Sequence, residues 1–196
     1  GRYIGIWWGM HRRENTWDIG DRHGATTENT KRYIDFAAAN GYSGVLVEGW
    51  NKGWEHDWSA DGTCFDFLEP YPDFNLEEVC RYAAEKGVRL IGHNETGGAA
   101  AHYETQLDSA FALYNRLGMN AVKTGYVNRL MDGKELHGSQ YAVRHYRKVI
   151  ETAALHHIMI DNHEPVMPTG LQRTYPNLMT QEGVRGQEYN AWCPEG

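Results

Sequence analysis

The sequence holds only three cysteines, Cys64, Cys80 and Cys193, scattered over 196 residues. They are too few and too far apart for a disulfide framework or a cysteine-based zinc site. Cys80, on a helical stretch, reads as a small core residue. Basic residues are also scarce: 19 Lys and Arg stand against 26 Asp and Glu, a net charge of −7. A nucleic-acid binder needs a basic surface to neutralise phosphates, so that class is excluded. No apolar run approaches the length that spans a bilayer. There is no Ser/Gly linker, no low-complexity tract and no composition shift to mark a domain boundary, so one domain with a sizeable core is expected. No signal peptide is visible, and a chain opening at Gly1 reads as cut from something longer.

Aromatic residues, by contrast, are abundant, with seven Trp and twelve Tyr. Aromatic rings stack on sugar faces, which raises carbohydrate as a ligand class, although any single ring more often packs in a core or at a rim. Trp7, Trp8 and Trp17 fit barrel-bottom or loop packing as well as they fit a sugar platform.

The chain alternates short apolar runs with helical patterns. The β-prone stretch 2–10 leads into a long polar loop, and residues 26–40 carry Tyr33, Ile34, Phe36 and Ala37 at helical spacing. Thr26 or Thr27 can cap that helix, and Gly41 stands where a left-handed residue ends one. A second strand over 43–47 ends in Glu48. A second helix starts at Asn75, with Glu78 in capping-box position, and closes at Gly87. The unit repeats: a strand over 88–92, a helix carrying Tyr103, Leu107, Phe111 and Tyr114, a strand over 119–122, a helix over 139–156, then strands over 158–160 and 177–179.

Alternation of this kind implies a parallel sheet with right-handed crossovers. A doubly wound sheet would bring a Gly-rich phosphate loop, and Gly97-Gly98 lacks that spacing. A closed barrel instead places polar residues at the end of nearly every strand. That is the pattern here: Glu48, His93 with Glu95, Lys123, His163 with Glu164, then Glu182. The expected fold is therefore α/β, a (β/α)8 TIM barrel of which about six units are present.

Glycosidic cleavage needs one carboxylic acid to protonate the leaving oxygen and a second carboxylate to activate water or attack the anomeric carbon. Glu95, Glu164, Glu182 and Glu188 all fall at or just after strand ends. One such residue alone reads as a solvated loop carboxylate, whereas four on one rim beside His93, His163 and Lys123 read as a site. Clustered carboxylates repel and call for a cation, and hard oxygen ligands suit calcium better than zinc. Spacing alone assigns none of the acid and base roles. Asp57, Asp61 and Asp66 in DWSADGTCFD do not follow the EF-hand loop and read as solvated.

The segments GIWWGMHRRENTWDIGDRHG, LVEGWN, GHNETGG, VKTGYV, DNHEP and MTQEGVRGQEYNAW, in this order, resemble glycoside hydrolase family 97 over essentially the whole chain. The resemblance implies a calcium-dependent α-glucosidase or α-galactosidase of periplasmic location, acting on oligosaccharides. It also implies β domains flanking the barrel. In the inverting α-glucosidase branch the general acid falls on Glu188, and the general bases on Glu95 and Glu164. Glu164 and Glu182 become the calcium ligands available here, with a further ligand from the N-terminal domain. Glu48, His93, Lys123 and His163 match residues that hold the terminal sugar. The retaining branch carries an aspartate nucleophile after the fourth strand, where this chain reads Lys123-Thr124-Gly125-Tyr126, so the resemblance points to inversion. A non-catalytic carbohydrate-binding barrel and a phosphate-handling barrel enzyme are the competing readings; the intact rim glutamates argue against the first.

Overall fold

The computed structural model describes residues 1–191 and 193; Trp192, which closes the last motif, lies outside them. Six strands form one sheet, hydrogen-bonded in chain order: β1 Tyr3–Ile6, β2 Gly44–Val47, β3 Arg89–Glu95, β4 Ala121–Gly125, β5 Met159–His163 and β6 Leu178–Glu182. Every neighbouring pair is parallel. Between them run helices α1 Thr27–Ala39, α2 Leu76–Glu85, α3 Ala100–Arg116 and α4 Gln140–Leu155.

Alternate strand residues face opposite ways. Ile6, Val47, Leu90, Val122, Ile160 and Leu178 are buried in one core with Ile34, Val79, Leu107 and Val149 of the helices. The other face is concave. Tyr3 of β1 donates its hydroxyl to Asp161 Oδ2 of β5 at 3.1 Å. In a flat sheet these strands would lie about 19 Å apart, four spacings of ~4.8 Å, so the sheet curls as an incomplete barrel does. A groove of about 250 Å³ lined by Tyr3, Gly44, Ile91, Ala121 and Met159 remains on this concave side.

Local chemistry sets the helix starts. Thr26, Asn75 and Ser139 each accept a backbone N–H, from Asn29, Glu78 and Ala142. The capping box expected at Asn75 is only half made. Glu78 turns to Lys31 instead, at 2.5 Å, and the Asn75 N–H goes to Thr27 Oγ1 at 2.7 Å. Gly41 and Gly87 take the left-handed conformation expected at helix ends (φ +70° and +72°).

The strand ends depart from the sequence pattern. Apolar runs predict that the third, fourth, fifth and sixth strands stop before their polar residues. In the structure the ladders continue through His93-Asn94-Glu95, Lys123-Thr124-Gly125, Asp161-Asn162-His163 and Gln181-Glu182. The backbone ladder needs no apolar side chain, and here it extends through the barrel's polar mouth. Its helix-facing polar residues are paired: Asn94 bonds the hydroxyls of Tyr103 and Tyr114, and Thr124 donates to Asn162. At the other end of the chain, the stretch 2–10 divides into β1 and a single helical turn, Trp8–His11.

Candidate active site

Because the strands are parallel and in register, their polar ends collect on one rim. His93, Lys123 and Asp161 are direct cross-strand partners in the inward row. Glu48 follows β2, Glu95 ends β3, Glu164 follows β5, and Glu182 ends β6 opposite His163. The expected rim residues thus share the C-terminal side of the sheet.

Buried Glu95 and half-buried Glu164 form one pair. Glu95 Oε1 accepts from Gly97 N at 2.7 Å and Val127 N at 3.2 Å, while Glu164 Oε2 accepts from Tyr126 N at 2.7 Å. Burial raises the pKa of Glu95, and the charge of Glu164 raises it further. Burial also raises Glu164, against the pull of His163 and the Tyr126 N–H. Ionisation of Glu164 therefore disfavours ionisation of Glu95. Glu164 has φ +52°, a left-handed backbone unusual for a side chain of its size. That conformation is held by Tyr146, whose hydroxyl donates to the Glu164 carbonyl at 2.7 Å, and by the Glu164 N–H on the Glu182 carbonyl at 3.0 Å. Strained backbone of this kind costs on the order of 1–3 kcal/mol and is retained where the surroundings over-determine it.

Gly125, at the end of β4, lies in register with Glu95. A Cβ built there would overlap Glu95 Oε2 and stand 2.9 Å from its Cδ. The Glu95 carboxylate therefore fills the space a side chain at 125 would need.

A second group is built around Lys123. Lys123 Nζ lies 2.7 Å from Glu182 Oε2. Burial disfavours the ammonium, but the hydrogen bond to Glu182 and the charges of Glu182 and Glu48 outweigh it, so the Lys123 pKa is raised. Burial likewise opposes ionisation of Glu182, and Lys123 outweighs it, leaving that carboxyl lowered. His93 is driven well below the usual imidazole range by burial and then by Lys123, so it stands neutral. Its Nδ1 is buried with no hydrogen-bond partner among the described residues. Trp54 stacks on the His93 ring at 6.0 Å, Trp17 stacks on Trp54 at 6.1 Å, and Trp17 Nε1 donates to Glu48 Oε2 at 2.9 Å.

Glu188 lies in the 3-10 turn Gln187–Ala191, against the turn Trp8–His11. Trp7 Nε1 donates to Glu188 Oε2 at 3.2 Å, and His11 Nε2 is 3.7 Å from the same oxygen. The first unit thereby touches the last, beside a cavity of about 470 Å³ lined in part by Trp8, His11, Gln187 and Asn190. Trp7 and Trp17 thus lie at the carboxylate rim, and neither is at the barrel bottom.

His163 brings the carboxylates together. Its Nδ1 is 3.1 Å from Glu164 Oε1, and its Nε2 is 3.4 Å from Glu182 Oε1. One ligand atom each of His163, Glu182 and Glu188 lie within 4.8 Å of one another. Glu164 joins this group through His163 and not through direct grouping with Glu182, so the expected two-carboxylate ligand set has an imidazole across it. The donor chemistry fits a hard cation in part. Two carboxylates offer at most four of calcium's roughly six to eight oxygens. The loop aspartates behave as expected of turn residues: Asp61 accepts from Thr63 N, and Asp66 from Leu68 N and Glu69 N.

Sequence reasoning missed Trp7, Trp17 and Tyr126 as residues that bond the rim carboxylates Glu188, Glu48 and Glu164. The indole contacts join residues far apart in the chain, and only Tyr126, directly after a strand, carried a positional signal.

A curled parallel sheet with carboxylates converging at the strand C-termini defines the mouth of a (β/α)8-type barrel of the kind that carries hydrolytic sites. The family model described as Glycoside hydrolase 97 matches residues 7–184, and the chain belongs to that family. A family 97 enzyme from Pseudoalteromonas sp. strain K8, solved in complex with acarbose, is 50% identical with a TM-score of 0.92; the match covers 98% of this chain and 30% of that one. A further structure of the Pseudoalteromonas enzyme, a variant in complex with panose, matches with 50% identity, a TM-score of 0.93 and the same coverage. A curated relative from Bacteroides thetaiotaomicron (strain VPI-5482), named "Retaining alpha-galactosidase", is 28% identical over 198 residues, 98% of this chain and 26% of its own. The chain thus spans between a quarter and a third of the length of these relatives.

Proposed function

We propose that this chain is the catalytic-barrel portion of an inverting, exo-acting α-glucosidase that releases glucose from the non-reducing end of starch-type α-glucosides. The observation that carries the reading is the exclusion between Gly125 and Glu95: the place of a nucleophile is filled by a carboxylate suited to holding water. In this reading Glu188 gives its proton to the glycosidic oxygen as the bond to the anomeric carbon breaks. Glu95 and Glu164 hold a water on the opposite face of the sugar and take its proton as it attacks. Inversion needs acid and base roughly 6.5–9.5 Å apart to leave room for that water. Glu48, His93, Lys123 and His163 hold the terminal sugar, with Trp54 and Trp17 stacked behind His93.

The 50% identity to an enzyme solved with acarbose and with panose supports the glucoside. The name of the curated relative favours a second reading, a retaining α-galactosidase. Proton NMR of the sugar first released by the full-length protein separates them. We expect β-glucose from an α-glucoside, and an α-anomer appearing first would sink the inverting mechanism.

Calcium belongs to the same proposal. Glu164 and Glu182 would hold it, with remaining ligands from water or from the flanking β domains. When bound it supplies positive charge that favours ionisation of Glu164. Calorimetric titration of calcium into the full-length protein is expected to show one site, with affinity lowered at least tenfold by Glu182→Gln. Unchanged affinity in that variant would remove Glu182 from the ligand set. A periplasmic location rests on the family resemblance and is proposed with it.

A further inference from the structure

Two successive backbone N–H groups bind one oxygen from each member of the carboxylate pair: Tyr126 N holds Glu164 and Val127 N holds Glu95. One short loop after β4 therefore helps to set the spacing and direction of both carboxylates, together with Gly97 N on Glu95 and His163 on Glu164. What fixes that loop is its buried tyrosine. Tyr126 Oη meets His145 Nε2 at 3.0 Å, and the His145 Nδ1 meets Glu104 Oε1 at 2.8 Å. Glu104 is on α3 and His145 on α4, so the chain of contacts ties two helices to the loop. Lys148 closes on the other Glu104 oxygen at 2.5 Å. The Tyr126 ring is also clamped edge-on by His145 at 5.4 Å and by Tyr146 at 5.2 Å.

We propose that Glu104, His145 and Tyr126 act as positioning residues: a carboxylate–imidazole–phenol relay that holds the Tyr126-Val127 backbone in place to aim both base carboxylates at the attacking water. The proposal rests on the reading of Glu95 and Glu164 as bases. The Tyr126 and His145 side chains are buried and so act through the loop. A carboxylate on Nδ1 fixes which imidazole nitrogen faces the phenol, the same logic by which outer partners orient metal-bound histidines. Displacement of a reacting group by about 1 Å can cost on the order of 100-fold in rate, so a loosened loop registers in turnover before it registers in folding.

The test uses the full-length protein and four variants. Tyr126→Phe removes only the hydroxyl, and His145→Leu removes both ring contacts. In His145→Gln one polar contact to the phenol is retained. His156→Leu breaks a more exposed pair between α3 and the residue after α4, His156 with Asp108 at 2.7 Å, away from the loop. Rates are referred to active sites titrated with a tight-binding inhibitor. We expect Tyr126→Phe and His145→Leu to lower kcat about tenfold with KM within twofold, by the same factor for natural and aryl glucosides. His145→Gln should recover part of the loss, and His156→Leu none of it to recover, with wild-type kcat. Wild-type kcat in both Tyr126→Phe and His145→Leu, while Glu95→Gln and Glu164→Gln are crippled, overturns the relay and leaves the base assignment standing. Full activity in Glu95→Gln and Glu164→Gln overturns the base assignment and the relay with it.

Discussion

Glu188→Gln is expected to lower kcat on malto-oligosaccharides by about 10²–10⁴-fold, the usual worth of a positioned general acid. On an aryl α-glucoside with a good leaving group the same variant should lose less than about tenfold, because that oxygen departs with little need of a proton. The geometry makes the comparison clean. Glutamine keeps an oxygen that can accept the Trp7 indole N–H at Glu188, so the turn Gln187–Ala191 retains its anchor. Equal losses on the two substrates would mean that Glu188 is not the acid.

Glu95→Gln is expected to behave in the opposite way. A missing base is needed whatever the leaving group, so both substrates should slow by about 10²–10⁴-fold. The same variant should also be more stable than the parent, and by an amount that depends on pH. The folded state raises the Glu95 pKa, through burial first and then through Glu164. In acid, below the ordinary carboxylate range, folded and unfolded chains both hold the proton and the parent loses nothing. As pH rises the unfolded chain ionises first, and stability falls until the folded carboxyl ionises too. Glutamine has no such proton, so its advantage should grow from near zero in acid to on the order of 1–3 kcal/mol above neutrality, the usual cost of burying such a group. Thermal melts across this range, with calcium chelated, check it. A stability difference that does not vary with pH would mean that Glu95 titrates normally.

The parallel sheet, its helices and the rim residues were legible because apolar runs and helical spacing report burial, and because barrel strands end in polar residues. Strand lengths were not legible at His93-Asn94-Glu95 or Asp161-Asn162-His163, where the ladder runs on through side chains that look like loop. The bond from Trp7 to Glu188 spans 181 residues, and the one from Trp17 to Glu48 spans 31. Such pairs depend on how the sheet curls, which no local pattern records. His145 was hidden for a similar reason. On α4 it occupies an ordinary inward position, and its meaning comes from Glu104 on another helix.

The occupancy of one small volume by Glu95, with Gly125 making room for it, has a consequence for how such a barrel changes its chemistry over time. An aspartate arriving at position 125 alone would force the Glu95 carboxylate to move out of its place. On the proposed mechanism, loss of Glu95 alone would remove a group that activates water. Each first step would then leave a weaker enzyme, and the inverting and retaining outcomes would lie on separate peaks with a trough between them. Descent within the family would then show the two positions exchanging as a pair, and a single ancestral substitution would not convert one stereochemistry into the other.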